Sequence, residues 1–258
     1  AGRVPESTLL SHDLFEGVFA RAGLASDVEV VEEFPERYDV ASRRYHRWAR
    51  GDWQLLPWIL GARRSAGTAL PMTGRAKMID NLRRSLTAPS AVAALFSGWL
   101  LPLPAALLWT LFLVLVLGVP ALIPFLESLF RWPTGVPAAA QLRALGADLR
   151  LAVARWGLVI MFLADQAWLM GDAIGRTLIR VTITHRNMLE WVPAAQLADA
   201  MRLDTRGFYG RMPGAIILSV IGVGLAAAGG EASWPVALAF ALLWALSPAL
   251  ACRISTPP

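Results

Sequence analysis

The distribution of apolar residues along the chain constrains its fold more than any other feature. Residues 91–126 are almost entirely apolar, and residues 214–230 and 234–251 form two further apolar stretches. Residues 1–60, in contrast, carry charge at the density of an ordinary soluble domain. With 56% hydrophobic and 17% charged residues, the whole chain is too apolar to be disordered or to be soluble throughout. The sequence therefore predicts a protein that is part soluble and part membrane-embedded.

The first apolar stretch, residues 91–126, is predicted to form a transmembrane hairpin. As one helix it would measure about 54 Å, which exceeds the ~30 Å hydrocarbon core of a bilayer. Pro102 and Pro104 interrupt it early, and Gly118 and Pro120 interrupt it late. Two kinked passes are therefore expected, with a single pass plus a re-entrant piece as the alternative.

A second hairpin is predicted over residues 213–253, with an acidic turn. Arg84 and Arg131 flank the first hairpin, while Arg211 and Arg253 flank the second. Basic residues beside apolar segments mark the cytoplasmic side of a membrane protein. Both hairpins should therefore return to one cytoplasmic face, which makes about four passes in total.

The remaining segments are predicted to be helices and connectors at the membrane surface. Residues 63–90 are interpreted as a basic connector, and residues 127–212 as interfacial amphipathic helices. The amphipathic pattern is an apolar stripe at helical spacing: Leu142, Leu145, Leu149, Val153, Trp156, Ile160 and Leu163.

Residues 1–62 are interpreted as the end of a soluble domain. Ser11 is a candidate N-cap for a first helix, and Val28 to Phe34 alternate apolar and acidic residues as a short strand does. A longer helical stretch rich in arginine and tryptophan follows from Val40 to Leu60. The chain as a whole is therefore predicted to be mainly α-helical.

Two short blocks carry the chemistry. The block at residues 44–54, RYHRWARGDWQ, resembles the QxxRW motif of inverting family-2-type glycosyltransferases in the extended form RxxRWxRG, with Arg44 where that family usually has glutamine. The block at residues 11–17, SHDLFEG, resembles the acidic segment that precedes this motif. Together with VEEFPERYD between them, the two blocks resemble the cyclic β-1,2-glucan synthases, whose catalytic core has the GT-A fold.

This resemblance implies an internal fragment of an inner-membrane enzyme. Residues 1–62 would be the acceptor-side end of the GT-A domain, at the cytoplasmic face. The enzyme would polymerise glucose from UDP-glucose into a growing (cyclic) β-1,2-glucan, with a divalent cation (Mg or Mn) bound outside this chain. The N-terminal GT-A half and the C-terminal glycoside-hydrolase-like modules would lie elsewhere in the same polypeptide, so the chain alone should be inactive.

The resemblance also assigns roles to individual residues. Asp13 would be the catalytic base, Arg47 with Arg44 or Arg50 would bind the diphosphate, and Trp48 would be the platform for the acceptor sugar. Trp53 and His12 would complete the substrate-binding set.

Each of these residues also has a simpler explanation. A carboxylate such as Asp13 is favoured at a helix start by the helix dipole. His12 and His46 fit structural or peripheral positions, and the arginines could face lipid headgroups. Trp53 could equally be an interfacial anchor.

Other function classes remain as alternatives or are disfavoured. A different processive β-glycan synthase would share the RxxRW block, and a non-enzymatic membrane anchoring or transport module would explain residues 91–258. Nucleic-acid binding is disfavoured because the arginines accompany apolar segments rather than form a basic stripe. The single cysteine, Cys252, rules out a disulfide framework and a zinc ribbon.

Overall fold

Helix is the only regular secondary structure in the described part of the chain. The structure, a computed structural model, describes residues 9–10, 13–20, 23, 25–31, 35–61, 70–130, 137–190, 204–229 and 232–256. Its helices are α1 (Asp13–Ala20), α2 (Tyr38–Gln54), α3 (Leu56–Ile59), α4 (Met72–Gly98), α5 (Leu103–Phe130), α6 (Ala138–Met161), α7 (Leu163–Ile179), a π-helical turn (Arg180–Thr184), α8 (Thr205–Arg211), α9 (Pro213–Ala228) and α10 (Trp234–Ile254).

The mainly helical class is confirmed, but a GT-A domain is not seen. Residues 28–31, which begin the predicted strand, have no regular secondary structure and pair with no other described segment. The rest of that strand, residues 32–34, lies outside the described residues, as does Ser11. A strand needs a neighbouring strand to satisfy its backbone groups, and the described part of this chain provides none.

The predicted first hairpin at residues 91–126 falls on two helices, and the break between them at residues 99–102 agrees with the expected early interruption at Pro102. Its early part is the end of α4, and its remainder is the single continuous helix α5. Pro104 lies in the first turn of α5, where its missing N–H leaves no bond unmade, so it starts the helix instead of breaking it. Pro120 lies inside α5 without interrupting it.

The predicted basic connector at residues 63–90 is helical from residue 72 onward, while residues 62–69 lie outside the described residues. Met78 and Leu82, four residues apart, are buried. Asp80 binds Arg83 and Arg84 at 2.8 Å each, at helical spacing. An apolar stripe with ion pairs off it is the pattern of an amphipathic helix, which explains why α4 extends through the connector.

In the part of the chain that the structure describes, two helices, rather than the predicted four, are long and apolar enough to cross a membrane by themselves. They are α5, with a mean hydropathy of 2.6, and α10, with 1.9. A third span exists if α8 and α9, which meet at a bend, count as one broken helix. Most leucine, isoleucine and valine side chains of α5 are exposed, as expected of a helix whose surroundings are lipid. The length and apolar composition of these helices therefore indicate a membrane protein.

The chain divides into two compact units. The α2 unit comprises Ala1–Pro89, Gln166–Met212 and Pro248–Pro258, and the α5 unit comprises Ser90–Asp165 and Pro213–Ser247. The core of the α2 unit joins α1, α3 and α4 around an edge-on ring pair, Phe15 and Trp58, with centroids 5.4 Å apart. Together these contacts bury one face of α4 in the α2 unit.

The α5 unit has a core of aromatic rings whose polar atoms are satisfied. Trp99 and Trp244 are fully buried, with ring centroids 6.0 Å apart. Their indole N–H groups donate to Thr110 Oγ1 at 3.2 Å and to the carbonyl of Ile160 at 3.0 Å. Since an unpaired polar group is costly in an apolar interior, these bonds fix Trp99 against α5 and α10 against α6 within the unit.

Gly118 on α5 provides a test of this packing. A Cβ atom at Gly118 would lie 2.5 Å from Cε2 of Trp156, whose indole N–H donates to the Val114 carbonyl at 2.9 Å. We expect Gly118→Ala to lower the free energy of unfolding by about 1–3 kcal/mol, because the indole must shift. Thermal unfolding in detergent measures the change.

The matched control is Gly157→Ala on α6, where a Cβ meets nothing within 4 Å. Removing a helix-interior glycine there should raise the stability by up to about 1 kcal/mol. Equal effects of the two substitutions would contradict the packing of Trp156 against α5.

Candidate functional site

The RxxRW block lies on α2, whose first turn is held by several polar contacts. Arg37 and Asp39 form an ion pair of 2.9 Å. The backbone N–H of Tyr38 donates to Ser255 Oγ at 2.9 Å, and the Tyr38 hydroxyl accepts a bond from Gln166 at 3.0 Å. These contacts attach the start of α2 to α7 and to the segment that follows α10, so the helix enters the site in a defined direction.

One side of α2 carries the motif residues Arg44, Arg47 and Trp48, and the last two lie one helical turn after Arg44. The guanidinium carbon of Arg44 lies 4.6 Å from the centre of the Trp48 ring. The Tyr45 ring meets Trp48 edge-on, with centroids 5.6 Å apart. The result is a half-buried aromatic and cationic surface that can bind a sugar ring by stacking and a phosphate by charge.

A second face of α2 carries His46, Arg50 and Gln54 at four-residue intervals, and each makes a long-range hydrogen bond. His46 Nε2 lies 2.9 Å from Asp172 Oδ2 on α7. Arg50 Nη1 donates to the Glu190 carbonyl at 2.8 Å, and Gln54 Nε2 donates to the Met188 carbonyl at 2.8 Å. We call this the anchoring face, because it attaches α2 to α7 and to residues 185–190.

The segment 185–190 reaches the anchoring face through an unusual backbone. It follows the π-helical turn, and both His185 and Asn187 have a positive φ, of 52° and 54°. Arg180 holds the segment from the other side, with bonds of 2.7 Å to the Asn187 carbonyl and to Glu190 Oε2. Such backbone conformations cost energy in residues other than glycine, so the surrounding contacts must maintain them.

Arg50 is the most buried charged residue of α2, with 7% of its surface exposed. Its Nε and Nη2 atoms have no hydrogen-bond partner among the described residues. Burial and the neighbouring charge of Arg180 lower the pKa of Arg50 from its usual value, although Glu190 opposes the shift. The structure therefore gives Arg50 a structural partner in the Glu190 carbonyl, one helical turn after Arg47 on the same helix.

Trp53 and Asp52 face α4 rather than the motif face. The indole N–H of Trp53 donates to Ser85 Oγ at 2.9 Å, and its ring packs against the core of the α2 unit. Asn81 Nδ2 donates to Asp52 Oδ1 at 3.2 Å. The structure thus does not bring Trp53 together with Arg44, Arg47 and Trp48.

The two candidates of the SHDLFEG block are only partly covered by the structure. Asp13 is the first residue of α1, which agrees with its prediction at a helix start, but its side chain lies outside the described residues, as does the whole of His12. No group of three or more His, Cys, Asp or Glu residues that could hold a metal ion occurs in the described part of the chain.

Sequence reasoning missed the partners of the anchoring face. Asp172 binds Arg176 Nε at 2.7 Å as well as His46, and burial of the imidazole lowers the pKa of His46 despite that carboxylate. Burial alone would raise the pKa of Asp172, but the bonds from Arg176 and His46 hold it below its usual value. The four-residue spacing of His46, Arg50 and Gln54 was the only available signal, because it places three polar residues on one side of a helix.

Asp52 gives α2 a predicted pH dependence. Burial raises the pKa of its carboxyl, so the ionised form is less stable in the fold than in the unfolded chain. The stability that Asp52 contributes is present below its unfolded pKa and is lost as the pH rises through the folded value. Asp52→Asn should therefore raise the thermal unfolding midpoint at pH 7 and leave it nearly unchanged at pH 3.

Asp80→Asn is the control of opposite sign. The bond from Arg83 lowers the pKa of the Asp80 carboxyl, so removing this charge should lower the midpoint at pH 7 and not at pH 3. Thermal unfolding midpoints are measured in detergent across pH 3–8. Shifts of the same direction for Asp52→Asn and Asp80→Asn at pH 7 would contradict the opposite pKa shifts of the two carboxyls.

Comparison with known proteins confirms the resemblance inferred from the two motif blocks. The chain is 41% identical over 254 residues to the cyclic beta-(1,2)-glucan synthase NdvB of Rhizobium meliloti (strain 1021). The match covers 98% of this chain but only 9% of that protein, which is consistent with an internal fragment. No family model matches the chain. The chain is therefore related to a small region of a glucan synthase, and α2 with its RxxRW block lies within the matched length.

Proposed function

We propose that this chain is the acceptor-side end of an inverting glucosyltransferase that polymerises glucose from UDP-glucose into (cyclic) β-1,2-glucan at the cytoplasmic face of the inner membrane. The observation that carries the proposal is the identity to a cyclic glucan synthase along nearly the whole chain. The geometry of α2 supports it, because a cation and an aromatic ring stand together on one helix face.

The proposed reaction assigns one step to each motif residue. The Asp13 carboxylate takes the proton from the attacking hydroxyl of the acceptor sugar. That oxygen bonds to the anomeric carbon of the donor glucose as the bond from this carbon to the UDP oxygen breaks, on the opposite face of the ring. The departing diphosphate gains negative charge, which Arg47 and Arg44 stabilise.

Trp48 is proposed to hold the acceptor. A glucose ring has apolar C–H faces that pack on an indole, and Tyr45 supports the Trp48 ring edge-on. Since the Glu190 carbonyl already binds Arg50, we assign the diphosphate to Arg47 with Arg44 and give Arg50 an anchoring role.

Several parts of the enzyme are proposed to lie outside this chain. The divalent cation, Mg or Mn, has no fitting set of ligands among the described residues, and no step of the proposed chemistry on this chain passes through it. The UDP-glucose site and the glycoside-hydrolase-like modules would belong to other parts of the polypeptide. The candidate spans α5 and α10 would attach the transfer site to the bilayer.

The first test uses membranes from cells that express the complete gene, supplied with labelled UDP-glucose and Mg or Mn. We expect the unaltered protein to form neutral β-1,2-linked glucan and Asp13→Asn to form none, because the variant cannot accept the proton. Asp80→Asn, at an exposed ion pair of α4, is the control and should retain activity. Equal product from Asp13→Asn and the unaltered protein would exclude Asp13 as the base.

The absence of glucan from well-expressed, unaltered membranes would overturn the proposed activity. Another sugar donor, supplied in the same membranes, would then test for a different β-glycan synthase. Inactivity with every donor would favour a membrane anchoring or transport module.

A second prediction separates the two motif arginines. Arg47→Ala should lower kcat about 10²–10³-fold, the usual loss on removal of a group that stabilises transition-state charge. Arg44→Gln restores the residue that the family usually has at this position and should retain most of the activity. Initial rates of glucan formation measure both effects, and the opposite order of the two variants would overturn the assignment.

A further inference from the structure

His46 lies inside the RxxRW block, but its side chain belongs to the anchoring face. At about 100° per residue, it stands about 160° around α2 from both Arg44 and Trp48, because each lies two residues away. Its contact is with Asp172, 126 residues further along the chain and in the same unit. The residue in the middle of the motif therefore contacts α7 instead of the motif face.

The acceptor of this hydrogen bond is itself held in place. Asp172 Oδ1 receives a bond of 2.7 Å from Arg176 Nε on the same helix, and Oδ2 faces His46 at 2.9 Å. Each carboxylate oxygen thus has one partner, and rotation of the carboxylate would break both bonds. The side chains are largely buried, with 20% of His46 and 32% of Asp172 exposed.

The pair constrains α2 differently from the other two bonds of the anchoring face. Arg50 and Gln54 donate to backbone carbonyls of the segment 185–190, which could shift along with them. Asp172, in contrast, is in the middle of the continuous helix α7. A bond between the middles of two helices opposes rotation of either helix about its own axis.

We propose that His46 and Asp172 are positioning residues for sugar transfer: their hydrogen bond sets the rotation of α2 and thereby fixes where Arg44, Arg47 and Trp48 stand. The effect on sugar transfer rests on the proposed function, whereas the effect on the orientation of α2 does not. A neutral imidazole with its proton on Nε2 provides the donor, and Nδ1 is then unprotonated. The charged groups that act on the imidazole are Asp172, Arg50 and Arg176.

The test compares two substitutions of His46 in the complete protein. His46→Ala removes the donor, whereas His46→Gln places an amide N–H near the position of Nε2. We expect His46→Ala to lower kcat by about 10–100-fold, because small displacements of reacting groups have effects of this size. The KM for UDP-glucose should change by less than about threefold, because the donor site is proposed to lie elsewhere. His46→Gln should recover most of the rate.

Asp172→Ala should reproduce the effect, and the double variant should be no slower than either single variant, since both remove the same bond. Asp80→Ala is the matched control, because Asp80 also binds an arginine four residues later, but this exposed ion pair lies within α4. If kcat falls in His46→Ala and His46→Gln does not recover it, the positioning role is overturned.

Hydrogen exchange of the α2 backbone separates this inference from the proposed activity. We expect faster exchange over residues 44–50 in His46→Ala and Asp172→Ala, near-native exchange in His46→Gln, and no change in Asp80→Ala. Unchanged exchange in His46→Ala would overturn the positioning role even if the enzyme is active. Faster exchange in a protein that makes no glucan would overturn the proposed activity and retain the role of the pair in orienting α2.

Discussion

The hydrogen bonds along the anchoring face of α2 are the constraint on which the rest of the candidate site depends. A buried polar group without a partner costs about 1–3 kcal/mol, so His46, Arg50 and Gln54 together favour the one rotation of α2 in which all three are bonded. That rotation places Arg44 and Trp48 on the opposite side. The direction in which the motif face points therefore depends on hydrogen bonds made by other residues of the same helix.

The backbone after α7 is shaped to provide the acceptors for two of these bonds. The left-handed residues His185 and Asn187 reverse the chain after the π-helical turn, and the Met188 and Glu190 carbonyls then meet α2. Each left-handed residue costs about 1–3 kcal/mol, which the bonds from α2 and Arg180 offset. π-helical turns and left-handed residues are frequent at functional sites, and here both lie beside the motif helix.

The α5 unit is stabilised differently, by aromatic residues that provide both apolar surface and a few directed hydrogen bonds. Trp99, Trp156 and Trp244 each donate an indole N–H to a carbonyl or hydroxyl oxygen of another helix. In apolar surroundings no water competes for these donors, so the bonds determine helix pairing while the exposed apolar side chains of α5 remain available to lipid.

The sequence by itself determined the helical class, the RxxRW helix, the two apolar segments near the C-terminus and the relationship to a glucan synthase, because these depend on local periodicity and motif spacing. Pro102 lies in the expected break before α5, whereas Pro120 lies inside α5 without ending it, since a proline's effect depends on its place in the helix and on neighbouring helices. The tertiary structure alone decided that His46, Arg50 and Gln54 anchor α2 and that Trp53 packs against α4. Their partners lie 126, 140, 134 and 32 residues away, and no local pattern encodes which distant atoms a buried polar group will meet.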